Sequence, residues 1–379
     1  MEKDLAANYL AKFSQESACA HQKSECNGCP LMPLQYEKQL EMKKEMLARV
    51  FGMEIELESA PSELGYRNRV DLSYINGKLG YRRKDNFYES FRLGKCLLVS
   101  EEANLQIQKI SRRLGELGVA ESSIMNRRPG LGYVVYRENR KRDGMANFVF
   151  FGEVDEKIKG LCEELVAGGL SSANILFNET WGDTAYGTVV QTFGQPHIEE
   201  QMLGNRFMVN PNTFFQTNVQ SAEKIFSILA SHIPEGGNVL DLYCGVGTLS
   251  LAAARKCARV VGIESNFESA SGARKNAILN GCSNAAFIYA GVEKMLKSMK
   301  GFETVIADPP RTGMHPKAIK ALLELAPAKI IYASCNPKTL ALDLASLKGY
   351  AVSYMRAFDQ FPQTMHVELL CVLEKIGAA

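Results

Sequence analysis

The stretch NVLDLYCGVGTLSLAAARK, residues 238–256, decides the fold. A short apolar run ends at Asp241, glycines follow at Gly245 and Gly247, and a run of good helix formers begins. Glycine at both places permits a tight turn and brings bare backbone to a helix N-terminus, where N–H groups can meet a ligand. The same rhythm continues downstream. RVVGIES, AAFIYA, ETVIADP, KIIYASC, YAVSYMRAF and VELLCVLEK read as strands, and helical segments fill the first five gaps. This alternation predicts an α/β domain, doubly wound around a mostly parallel sheet. The last two strands have no long helix between them and are expected to pair antiparallel.

The strand RVVGIES ends on Glu264, where a carboxylate can take both hydroxyls of a ribose. Strand, Gly-x-Gly turn, strand and acidic residue together point to an adenosine-containing cofactor. A P-loop is excluded by the lack of GxxxxGK[ST], and the run Gly245-Val-Gly247-Thr-Leu-Ser250 lacks the third glycine of a dinucleotide site. S-adenosylmethionine, which has no pyrophosphate to cradle, fits better. Three further groups are expected at the same sheet edge. Asp308 follows the fourth strand, Cys335 follows the fifth, and His366 and Glu368 open the last. An antiparallel last strand begins where its parallel neighbours end, so Asp308, Cys335 and Glu368 are expected to face one cleft. Taken singly they read as a turn aspartate, a buried thiol and an edge charge; their shared location favours chemistry. An Asn-Pro turn and a helix follow Cys335, and a helix N-terminus is expected to lower the thiol pKa.

Composition sets the rest of the frame. The chain has 379 residues, 46% hydrophobic and 23% charged, which suits a soluble protein of two or three domains. The N-terminus MEKDLAANYLAKFSQ does not read as a secretory signal, and no apolar run approaches the roughly 20 residues that span a bilayer. We therefore expect a cytoplasmic protein without membrane contact. Its 10 cysteines are then expected to be reduced. Cys19, Cys26 and Cys29 form C-x6-C-x2-C in a polar segment, and Cys96 in FRLGKCLLV is the fourth candidate for a four-thiolate metal site. Spacing leaves zinc and iron–sulfur both open. The regions read as a cysteine segment (1–31), a linking helix (32–52), a β-rich domain (53–205) with helices near 101–117 and 154–167, and the α/β domain (206–379). Net charge is only +2. Yet YRNRVDLSYINGKLGYRRK and RRPGLGYVVYRENRKRDG combine basic residues with tyrosines, which suits phosphates and stacked bases as well as solvated hairpins.

The segments FFQTN (214–218), DLYCGVGTLSL (241–251), DPPRTG (308–313), YASCNPKTLALDL (332–344) and FPQTMHVE (361–368) resemble the RNA uracil-5-methyltransferase family. The likeness covers the C-terminal half and reaches forward through YRNRVDLSY and GYRRKDN. It implies an S-adenosylmethionine methyltransferase domain of Rossmann-like fold. It implies Cys335 as nucleophile and Glu368 as the base that removes the C5 proton. Gln216, Tyr243, Glu264 and Asp308 match positions that contact the cofactor or the target base, with Gly245 and Thr248 in the cofactor turn. Thr248 stands where some relatives carry Asn, and Gly291 where a polar side chain usually meets the adenine. Several members carry a [4Fe–4S] cluster on similarly spaced cysteines, so the resemblance favours iron–sulfur over zinc. Members that combine a cluster with no N-terminal β-barrel resemble the 23S ribosomal RNA enzymes, and the 18 residues before Cys19 are too few for a barrel. A 23S rRNA substrate is therefore expected, with the transfer-RNA T-loop as the alternative, and a protein acting as a monomer.

The chemistry requires these residue types. A thiolate adding to C6 of uracil makes C5 nucleophilic, C5 takes the methyl group, and a base removes the C5 proton so that cysteine can leave. The uridine must be splayed out of any stack. A small-molecule enzyme would not need the basic tyrosine-rich region. A DNA cytosine enzyme would carry Pro-Cys where this chain has DPPRT. A non-catalytic RNA-binding relative would not need both Cys335 and Glu368.

Overall fold

The computed structural model describes residues 2–377. Its main sheet has eight strands in the spatial order Leu57–Glu58, Tyr350–Phe358, Glu368–Lys375, Lys329–Ser334, Thr304–Ala307, Asn238–Leu242, Arg259–Glu264 and Ala285–Tyr289. The five strands from Lys329–Ser334 outward to Ala285–Tyr289 are all parallel. Glu368–Lys375 runs antiparallel to both its neighbours, as expected from the missing helix. Helices cover both faces, which is why the inner strands read as unbroken apolar runs. Leu240, Val305 and Ile330 point to one face and Val239, Ile306 and Ile331 to the other.

Two features were invisible in the sequence. The two-residue strand Leu57–Glu58 adds parallel to Tyr350–Phe358, too short to carry any pattern. The cysteine segment, read as polar, contains the helix Glu2–Phe13. Leu5, Ala6, Tyr9, Leu10 and Phe13 lie on one face of it and join the core beside Leu240 and Ile330. The helix Tyr36–Phe51 ends at Gly52 in the left-handed conformation, a common helix stop. It packs into that same core through Met42, Met46 and Leu47. It also buries Gln39 and Lys43 completely.

A second sheet of six strands has the order Lys78–Gly80, Arg69–Ile75, Gly130–Glu138, Gly144–Phe151, Ser172–Asn178, Thr188–Gly194. Its one parallel pair, Gly144–Phe151 with Ser172–Asn178, is bridged by the helix Lys157–Ala167, while Glu101–Leu117 supplies the other helix expected here. The hairpin Ile198–Met202 and Asn205–Val209 packs against the main sheet with the helix Val219–Ser231. The segment between them, Phe214 to Asn218, is gripped from the six-stranded sheet. Arg137 donates to the Thr213 carbonyl at 2.7 Å, and Asn68 donates to the carbonyls of Gln216 and Thr217.

Candidate active site

Strand register brings the reactive groups together. Ser334 pairs with Leu369, so the next step along each strand sets Cys335 across from Glu368. Ala307 pairs with Tyr332 on the other side, so Asp308 leaves its strand beside them. Cys335 precedes the helix Pro337–Ser346, whose cap is Asn336 and whose first residue is proline. Asn336 accepts from the Lys338 amide and donates to the Arg311 carbonyl at 2.9 Å, tying the cysteine turn to the DPPRTG loop. The Asn-Pro turn is thus a brace between two strand ends.

The electrostatics differ from expectation. The Cys335 thiol is not lowered by its helix. Burial first, then the charges of Glu368 and Asp308, push it up to about 11, and Arg311 opposes this only in part. Glu368 is 8% exposed; burial, followed by the Asp308 charge, raises it well above the carboxylate range. Burial also pushes Asp308 up to about 7. Two carboxyls in one dry cleft cannot both ionise cheaply, which favours a proton held on the pair. Arg311, which the sequence reading quoted without a role, donates to His366 at 2.8 Å at the cleft mouth.

The cofactor turn is shaped as its glycines imply. Tyr243, Gly245 and Gly247 all have positive φ, at 63°, 54° and 86°. A side chain at Gly247 would meet the Phe287 ring at 3.0 Å. The helix Thr248–Ala254 starts immediately after. Glu264 accepts from the amides of Gly245 at 3.0 Å and Asn266 at 2.6 Å, which fixes its carboxylate at the sheet edge. Asp241 is wholly buried. Its Oδ2 accepts from Ser250 at 2.5 Å, and its Oδ1 is buried without a hydrogen-bond partner. Burial raises this carboxyl to about 7, partly offset by Ser250. An orphaned acceptor beside the glycine turn fits a ligand that donates, as an ammonium or hydroxyl group does. At Gly291 the space a side chain would fill is taken by the Glu293 carboxylate, 2.5 Å from where a Cβ would stand. Gln216 accepts from Gln360 at 3.0 Å, and Asn218 donates to the Gln360 carbonyl, so the FFQTN segment is bonded to the loop before Glu368.

The four candidate metal ligands share one neighbourhood. Cys29 is pushed up to about 12 by burial and then by Cys96, Cys26 and Cys19; Cys26 and Cys96 are also raised, mainly by burial. All four thiols are free of disulfides, and the amide of Gly28 donates to the Cys26 sulfur at 3.4 Å. Four cysteines are the kind of donor that a thiolate-binding cation takes. The sulfurs are neighbours rather than a finished cage: among the described residues no three His, Cys, Asp or Glu side chains stand ready around one metal position.

The basic stretches are less available than their composition implied. Tyr74, Tyr133 and Tyr136 are buried in the six-stranded sheet. Arg69, Arg83 and Arg128 pair with Asp71, Asp85 and Glu121. The exposed aromatics of this region are Phe87 and Tyr88, with the Arg82 guanidinium 4.2 Å from the Phe87 ring centre. The loop DNFYES carried no strand or helix pattern, so nothing marked its aromatics as exposed.

A parallel sheet with a glycine-rich cofactor turn, and a cysteine and carboxylates at its C-terminal edge, defines a Rossmann-like methyltransferase domain. The tRNA (uracil-5-)-methyltransferase family model matches residues 193–376. An uncharacterised RNA methyltransferase of Caldanaerobacter subterraneus is 34% identical over 96% of this chain and 86% of its own length. The tRNA (uracil(54)-C(5))-methyltransferase of Pyrococcus furiosus is 33% identical over 93% and 84%. The crystal structure of the Pyrococcus abyssi tRNA (uracil-54, C5)-methyltransferase with S-adenosyl-L-homocysteine superposes with a TM-score of 0.81, at 32% identity, over 92% of this chain and 86% of that one. The chain belongs to the RNA uracil-5-methyltransferase family and is an S-adenosylmethionine-dependent RNA (uracil-C5)-methyltransferase.

Proposed function

We propose that the substrate is transfer RNA, methylated at a uridine of the T-loop, with Cys335 as nucleophile and Glu368 as base. The register that sets Cys335 across from Glu368, with Asp308 beside them, carries the chemical reading. S-adenosylmethionine supplies the methyl group and, with its sulfonium, a positive charge. Asp241, Gly245, Thr248 and Glu264 are the residues we assign to it, with Tyr243, Gln216 and Asp308 facing the cofactor or the target base. A cation entering a cleft of raised carboxyls lowers their pKa values, which frees Glu368 to accept the C5 proton. As the Cys335 sulfur adds to C6, the C5=C6 pair moves onto the C4 carbonyl oxygen, which takes the thiol proton, leaving C5 as the nucleophilic carbon of an enol.

The sequence pointed first to 23S rRNA. Support moves to transfer RNA because relatives named for tRNA uracil-54 align over nearly the whole chain. We further propose that Cys19, Cys26, Cys29 and Cys96 hold a [4Fe–4S] cluster, with zinc as the alternative. The test of substrate is transfer of labelled methyl into total RNA lacking the modification, followed by fractionation and nucleoside mass spectrometry. The expected product is 5-methyluridine in the tRNA fraction. Label in 23S RNA would restore the first substrate reading and leave the chemistry intact. A different labelled nucleoside would sink the chemistry itself.

A further inference from the structure

The loop from Asp359 to Val367 joins the two antiparallel strands and delivers Glu368. Its anchorage comes from the far end of the chain. Lys43 and Asp359, both with wholly buried side chains, pair at 2.6 Å, and Lys43 also donates to the Phe361 carbonyl at 3.4 Å. Gln39 and Gln363 bond reciprocally: the Gln39 amide nitrogen donates to Gln363 Oε1 at 2.8 Å, and the Gln363 backbone N–H donates to Gln39 Oε1 at 2.9 Å. Gln39 also donates to the carbonyls of Leu31 and Leu34, and the Leu31 amide donates to the Gln363 carbonyl. Gln363 has φ 68°, a left-handed conformation that a non-glycine residue keeps only when its surroundings impose it. From there Thr364 bonds the Phe361 carbonyl and accepts from the His366 amide, two residues before Glu368.

Stability alone is a poor reason for this arrangement. A buried ion pair sets desolvation against attraction, and apolar replacement of such pairs is often neutral or better. Here Asp359 Oδ2 has no hydrogen-bond partner, so the pair is not even fully satisfied. Fully buried Gln and Lys on the core face of a helix are also the wrong residues for packing. What they do achieve is a fixed shape for the segment that ends in the base and that, through Gln360, touches Gln216.

We propose that Gln39 and Lys43 are positioning residues for the reaction, fixing the Asp359–Val367 loop so that Glu368 meets the C5 proton of the covalent intermediate. This rests on Glu368 being the base. In the step concerned the C5–H bond breaks and its proton passes to the Glu368 carboxylate. The C–H electron pair forms the C5=C6 double bond, and the C6–S bond breaks with its pair leaving on Cys335. A base misplaced by about 1 Å can cost on the order of a hundredfold in rate.

The test uses the full-length protein as purified, tRNA deuterated at uracil C5, and two variants. Gln39→Met keeps bulk but removes the bonds to Gln363. The pair Lys43→Met with Asp359→Leu keeps the core filled and removes the ion pair, so a folded protein is available even if the first variant melts early. The expected result is a fall in kcat of about tenfold or more, with KM for RNA and for S-adenosylmethionine changed by less than about threefold. A primary isotope effect at C5 appears, and covalent protein–RNA adduct accumulates on denaturing gels. Normal kcat in either folded variant, or lost kcat without isotope effect or adduct, would overturn the proposal. Glu368→Gln is the control: if it too builds no adduct, the assignment of the base is what has failed.

Discussion

At the scale of residues, the site is a dry cluster of acids whose protons are held tightly. Burial first, and then two carboxylates, disfavour the Cys335 thiolate and push the thiol up to about 11, above an ordinary thiol. A raised thiol pKa leaves the group protonated below that value, so its reactivity in the free enzyme should keep climbing with pH past the point where ordinary thiols level off. Alkylation by iodoacetamide, read on the Cys335 peptide by mass spectrometry, is expected to rise up to about pH 11. In Glu368→Gln, where one opposing charge is gone, the midpoint should move down. A plateau already reached at pH 8 would contradict the electrostatic account. The residues of this cluster were legible in the sequence, since Asp308, Cys335 and Glu368 each stand at a strand end. Their charge states were not, because burial and partners come from strands more than twenty residues apart.

At the scale of elements, the cofactor turn depends on backbone that only glycine adopts at ease. Gly247 combines φ 86° with a ring 3.0 Å from any added methyl. Gly247→Ala should cost about 1–2 kcal/mol from the left-handed backbone alone, before crowding. It should displace the start of the helix Thr248–Ala254 and weaken S-adenosylmethionine binding at least tenfold by calorimetry. Unchanged affinity and melting temperature would mean that Phe287 yields and the turn is softer than it looks. The seven strands read from the sequence are all present; the inner ones, buried on both faces, announce themselves as apolar runs. The helix Glu2–Phe13 escaped although Leu5, Ala6, Tyr9, Leu10 and Phe13 recur at helical spacing, because the alanines at 6, 7 and 11 blur the contrast between its faces. The anchoring by Gln39 and Lys43 could not be read at all: a polar residue on a helix gives no sign that its partner lies more than three hundred positions away.

At the scale of the molecule, chain segments distant in sequence are joined at two places, the cysteine neighbourhood and the loop that leads into Glu368. Cys96 precedes the helix Glu101–Leu117, while the other three thiols lie ahead of Tyr36–Phe51. A metal centre there would tie the six-stranded sheet to the segment that contacts Gln363. Protein purified without oxygen is expected to be brown, with about four irons and four sulfides per chain. Removing the metal should lower the melting temperature, as should Cys96→Ala. Colourless, zinc-loaded and fully active protein would replace iron–sulfur by zinc; metal-free protein of unchanged melting temperature would dismiss the centre. The placement of Glu368–Lys375 has a consequence for biosynthesis. Of the eight strands in the main sheet it is the last in chain order, yet it lies between two made before it. On the ribosome those two neighbours must wait apart, with a slot of unpaired amides and carbonyls between them. The slot closes only when this strand emerges, and the same event sets Glu368 beside Cys335. The sheet and the pair we propose as catalytic are completed together, so a nascent chain cannot hold the proposed site before its sheet is whole.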